Sequence, residues 1–184
     1  MDSQKKNAIS LGFLTVRKHA VHGYFGGLLV LNHLTRPLEF HCTLPVQTTK
    51  AQQILYGTTL DAFVCGEQIA RALLLKAKSK PDIVLTDTLA ALSLRHVHPQ
   101  AIVAIDGSWE GACSTLTHPE INIPGLKKEK IGKLNLLVLP EYEKDLATTR
   151  TLFDEEDLNI DFLEPFGRIE DALREAHPAT KAAA

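Results

Sequence analysis

Three apolar stretches of this 184-residue chain each run into a carboxylate. Asp87 follows DIVLT, Asp106 follows AIVAI, and Glu141 follows LNLLVLP. Short runs this apolar read as strands covered on both faces. In open α/β sheets, ligands bind beyond the carboxyl ends of the strands. If the three strands are parallel neighbours, their carboxylates converge on one edge. Such oxygen donors suit a hard divalent cation, Mg²⁺ or Mn²⁺, which would activate water or clamp a phosphate. Each carboxylate also has a plain structural reading. Asp87 can cap the helix that follows it, Asp106-Gly107 can make a turn, and Glu141 can lie in solvent beside Pro140.

Glu67 is a further candidate. Its offsets from Leu60, Phe63, Val64 and Leu74 place it on the apolar face of a helix. A carboxylate buried there without a partner is costly. It is either a ligand or acid–base group reaching over the sheet, or one half of an ion pair with Arg71 at i+4.

Other chemistries find less support. His19 and His22 form HxxH, and His96 and His98 form HxH, but no two cysteines are paired in sequence, as a zinc site wants. His41 and Cys42 are adjacent on an alternating strand and point to opposite faces. Cys42 and Cys65 read as small buried apolar residues. HGYFGG is followed by strand rather than helix, and GxxxxGK[ST] is absent, which excludes both nucleotide-binding loops. Ser108 in DGSWEG stands alone, without GxSxG.

The elements that must position these residues are legible in outline. Ile9–Lys18, Leu28–His33 and Leu38–Leu44 read as strands of an antiparallel meander. In the third, Leu38, Phe40, Cys42 and Leu44 alternate with Glu39, His41 and Thr43. The period then changes to helical. Thr49–Tyr56 reads as a short helix ending at Gly57, and Thr59–Lys78 as a longer one. Strand Asp82–Thr86, helix Thr88–His96 and strand Ala101–Ile105 make a parallel pair with a right-handed crossover. Residues 107–133, broken by glycines and prolines, read as a long loop with a short strand near Ile121–Ile123. Leu134–Leu139 is a strand, Lys144–Glu155 and Ile169–Ala176 are helices, Asn159–Leu163 is a short strand between them, and the final PATKAAA is frayed.

Three antiparallel strands, a helix bearing Glu67 in GEQIARALL, a strand ending in Thr86-Asp87 of VLTDTLAAL, a helix and a strand form an order that resembles the ribonuclease H-like fold over roughly residues 9–105. The resemblance implies that Glu67 and Asp87 bind catalytic metal, with Asp145 as the carboxylate of a later helix. The family's first strand carries a metal-binding aspartate, and ISLGFLTVRK has none. The segment GYFGGLLVLNHL…LEFHCTLPV also resembles uncharacterised bacterial proteins.

Charge divides the chain near residue 140. Residues 1–140 carry 15 Lys and Arg against 10 Asp and Glu, and residues 141–184 carry 5 against 12. The first reads as the α/β sheet domain, the second as an acidic helical extension packed on it. The 45% apolar fraction supports a core. The N-terminus lacks a secretory signal, no run approaches the roughly 20 apolar residues of a membrane span, and three scattered cysteines suit a reducing cytoplasm. Lys127, Lys128, Lys130 and Lys133, with Lys76, Lys78 and Lys80, are candidate phosphate contacts, but the pI of about 6.4 is far from a basic footprint. The acidic segment could instead dock onto these lysines, within the chain or between subunits. Two functions follow: a non-catalytic binding or assembly module, whose partner is a protein, a second copy or nucleic acid, and a divalent-metal phosphoesterase or nuclease using Glu67, Asp87, Asp106 and Glu141.

Overall fold

The computed structural model describes residues 9–107, 115–156 and 160–178. Among these, β1 (Ser10–His19), β2 (Gly23–Asn32), β3 (Pro37–Cys42), β4 (Ile83–Thr86), β5 (Ile102–Ile105), β6 (Lys127–Ile131) and β7 (Leu134–Val138) form one sheet. Its order is β3-β2-β1-β4-β5-β7-β6. β1, β2 and β3 are an antiparallel meander, and β4 and β5 run parallel to β1. β7 returns antiparallel to β5, with β6 outside it. This is the mixed α/β sheet expected from the sequence.

β6 is a correction. KKEKI reads as a charged loop, yet it pairs along β7 from Lys127↔Val138 to Ile131↔Leu134. Only Ile131 in it is buried. Lysines along an exposed edge also discourage pairing with other chains. No strand forms at Ile121–Ile123 or at residues 160–163. Residues 108–114, which hold Ser108, lie outside the described residues.

β2 begins five residues before the apolar run that announced it. Its glycines are there for packing. A Cβ on Gly26 would collide with Ile69, and one on Gly27 with Ile169. Those two residues sit on helices covering opposite faces. On one face lies the helical run of residues 57–76, whose middle, Phe63–Ala70, is π-helical. Here Val64, Cys65 and Ile69 pack with Leu14, Val16, Val84 and Ala104. Gly66 lets this helix touch the 3₁₀ helix Leu89–His96, since a Cβ would strike Ser93. Before the run, α1 (Lys50–Tyr56) is closed by a Thr49–Gln52 capping box.

On the other face, α2 (Lys144–Glu156) and α3 (Glu164–Ala176) of the acidic segment complete the core. Phe166, Ile169 and Leu173 pack on Phe13, Phe25, Leu85 and Val103. Beside these apolar contacts, ion pairs tie the segment to the sheet domain. Asp145 takes Arg95 at 2.8 Å, and Glu170 takes Arg17 at 3.1 Å. At the β3 edge, Glu39 accepts the backbone N–H groups of Lys78 and Ser79 and a hydrogen bond with His41. These hold its pKa down to about 2 and clip the end of the helical run to the sheet.

Candidate functional site

Along β1, Leu11 and Phe13 face the α3 side, and the period of two continues that series to Thr15 and Arg17. Arg17 is 1% exposed. A buried guanidinium is strongly unfavourable without partners, and this one is fully paired. Nη2 donates to Asp87 Oδ2 at 2.6 Å, and Nη1 donates to Asp87 Oδ1 at 3.2 Å and to Thr15 Oγ1 at 2.5 Å. Nε donates to Glu170 Oε2 at 3.1 Å. Burial opposes the charge, but Asp87 and Glu170 outweigh it and hold the Arg17 pKa above its usual value.

Strand register explains how these groups meet. β1 and β4 pair Leu14 with Thr86 in parallel, so Asp87 emerges beside Thr15. The Thr15 hydroxyl donates to Asp87 Oδ1 at 2.5 Å, and that of Thr88 at 3.1 Å. Glu170 arrives from α3, where Arg174 at i+4 donates to its second oxygen at 2.8 Å. Both carboxylates have their acceptors committed to protein donors. The residues around Asp87 fit a guanidinium; they do not fit a divalent cation, which the adjacent positive charge would repel.

His118 closes the cluster. Its Nδ1 lies 3.4 Å from Arg17 Nη1. A guanidinium only donates, so Nδ1 accepts and the proton resides on Nε2. Burial, then Arg17, holds the His118 pKa below its usual 6.5. A base with a depressed pKa stabilises the fold above its unfolded value, and that contribution is lost as pH falls from 6.5 through the folded pKa. Unfolding free energy is therefore expected to drop with acidification in that window. His118→Gln, which keeps an acceptor for Arg17, should flatten the slope in a urea-denaturation series. An unchanged slope would count against a neutral His118.

The other candidates lie apart from this cluster. Asp106 continues the β5 series after Ala104, on the face opposite Arg17, and pairs with Lys128 of β6. Glu141 is exposed in a 3₁₀ turn. Glu67 is half-buried in the π-helical stretch, and among the described residues it forms no ion pair with Arg71; π spacing moves i+4 out of register. Asp145 is committed to Arg95 and to the Ile102 N–H. Among the described residues, no three His, Cys, Asp or Glu side chains gather as an ion requires. In the HxxH pair, His19 Nδ1 already accepts the Val21 and His22 N–H groups, so Nε2 bears the proton and offers no lone pair.

Two clefts open at this end of the sheet. One, of about 310 Å³, is lined by Asp87, Thr88, Leu89 and residues 118–121. The other, of about 550 Å³, shares Glu120 and Ile121 and adds Thr58, Thr59 and Asp61. Asp61, on the wall of the second, accepts the Tyr24 hydroxyl, and burial raises the tyrosine's pKa.

No family model matches the chain, and no curated protein matches it. Its backbone does have a counterpart among solved structures. The chain is similar to Endonuclease V. That protein, from Ciona intestinalis, was solved in complex with a 23-mer DNA containing an inosine followed by a ribo-adenosine. The TM-score is 0.53 at 11% identity, covering 95% of this chain and 88% of that one. At that identity the likeness is one of fold. It supports the resemblance read from strand order.

Thr15, Arg17, His118 and Glu170 are the site residues that sequence reading missed. A signal existed for one of them. Arg17 stands in phase with Leu11, Phe13 and Thr15 on a strand face that carries no other charge, and such a cation needs a buried anion.

Proposed function

We propose that this chain is a non-catalytic binding module on a nuclease-like scaffold, one that holds a nucleic-acid strand without cutting it. The observation that carries the first half is the buried Arg17, whose guanidinium takes the acceptor oxygens of Asp87 and Glu170 that a catalytic cation would need. Support for the second half is the likeness to Endonuclease V, together with the exposed lysines of β6. Such cations release counterions from phosphates. The fold likeness also favours a second reading, a Mg²⁺- or Mn²⁺-dependent nuclease, although the sequence candidates for it, Glu67, Asp87, Asp106 and Glu141, do not gather around one point among the described residues.

One pair of measurements separates them. Fluorescence anisotropy with labelled single-stranded DNA and RNA, plain and inosine-containing, reads binding. Gel analysis of the same strands with Mg²⁺ or Mn²⁺ reads cleavage. The expected result is a saturable, salt-sensitive anisotropy rise with strands intact. Metal-dependent cleavage that disappears in Glu67→Gln would overturn the proposal in favour of the nuclease. Absence of any anisotropy change would remove nucleic acid as the ligand.

A further inference from the structure

The opposite end of the sheet carries a second feature, and it does not depend on the reading above. A pocket of about 570 Å³ opens where β4 and β5 begin, walled by Leu74, Leu75, Pro81, Pro99 and Ala101. Lys80 and His98 also line it. Lys76 and Lys78 flank its wall in the chain and are exposed. Among the described residues, Arg71, Lys76, Lys78 and Lys80 have no carboxylate within ion-pair distance, unlike Lys18 and Lys128, which do.

The side-chain polar groups on the wall are those of Ser79, Lys80, Asp82, His98 and Gln100. Asp82 is the one acid on the wall, and its Oδ2 is taken by the Ser10 N–H at 2.8 Å and the Ser10 hydroxyl at 3.3 Å. His98 Nδ1 accepts the Gln100 N–H at 3.1 Å, which leaves an Nε2–H donor. Burial lowers the His98 pKa, and the nearby Arg71 and Arg95 lower it further; Arg95 is itself paired with Asp145. Leu75, on the wall, is 65% exposed. A pocket this open does not enclose a small molecule as a ligand site does. No Phe, Tyr or Trp lines it, and His98 is the one ring on its wall.

We propose that this pocket is a docking site for an acidic segment of a partner protein, which seats an aliphatic side chain between Leu75, Pro81 and Pro99 and sets its carboxylates against Arg71, Lys80 and His98. Apolar contact supplies the anchor, and the unpaired cations select the flanking charge. Added salt weakens the complex, because the rim is in solvent.

Selection of a random-peptide phage library on the full chain tests this. Enriched peptides are expected to carry Asp or Glu around Leu, Ile or Phe. Their affinity should fall on the order of tenfold or more in both Lys80→Glu and Leu75→Glu. Both side chains lie outside the core, so folding is retained, and a far-UV spectrum checks it. Lys128→Glu, at the far edge, should leave affinity unchanged. Three results would each overturn the proposal: no enrichment over the unselected library, peptide binding that survives both pocket variants, or displacement of the peptide by an equal concentration of oligo(dT), which would make the surface a general polyanion binder.

Discussion

Replacing Arg17 with alanine is expected to destabilise the protein by about 3–5 kcal/mol, read as a lower urea midpoint by circular dichroism. The side chain sits with Asp87 and Glu170 in one buried cluster, at side-chain exposures of 1%, 0% and 6%. Removing the cation leaves two carboxylates out of water, 70 and 153 residues away in sequence, with only the hydroxyls of Thr15 and Thr88 and the guanidinium of Arg174 to hold them. Against a total stability of roughly 5–15 kcal/mol, that loss is large.

The cost belongs to the imbalance more than to the pair. Arg17→Met combined with Asp87→Leu and Glu170→Leu removes all three charges together. That variant should be markedly more stable than Arg17→Ala alone, because a matched apolar replacement leaves no unpaired ion. If Arg17→Ala costs less than about 1 kcal/mol, the cluster is not sequestered from water and the argument against a cation at Asp87 falls with it.

The same cluster shows how far sequence reaches here. Asp87 was found because a strand-end position is a local property, visible in DIVLTD. Its partner Arg17 was visible only as an in-phase cation on an apolar strand. Glu170 was not visible at all, since nothing in IEDALREA tells which of its acids faces inward until the helix is docked. The meander followed from short connections and alternation, and the parallel β4–β5 pair from the helical segment between its strands, whereas the seat of β4 beside β1 was implied only by the resemblance of strand order. β6 escaped because an edge strand that is mostly exposed carries no alternating apolar signal, and KKEKI has one buried residue. The π-helical stretch escaped because apolar spacing in FVCGEQIA does not mark it off from an α-helix. The charge step near residue 140 marks where the sheet's last long-range strand ends. It does not mark the end of the core, to which Phe162, Phe166, Ile169 and Leu173 belong.

Phe166→Ala tests that last point, with an expected loss of about 3–5 kcal/mol. The ring is fully buried and meets Phe13 edge to face, with centroids 5.5 Å apart. A double-mutant cycle with Phe13→Leu should recover a coupling of about 0.5–1.5 kcal/mol beyond the area term. The effect should extend to the charge cluster. Phe166 and Glu170 lie one turn apart on α3 and share its inward face, so loosening the ring loosens the hold of Glu170 on Arg17. His118 would then gain solvent, and an imidazole titration by NMR should show its pKa moving back toward 6.5 in the variant. A cost below about 1 kcal/mol, or an unmoved His118, would show that the acidic segment and the buried Arg17 are energetically separate, because a helix that positions both cannot lose its anchor without disturbing the ion pair.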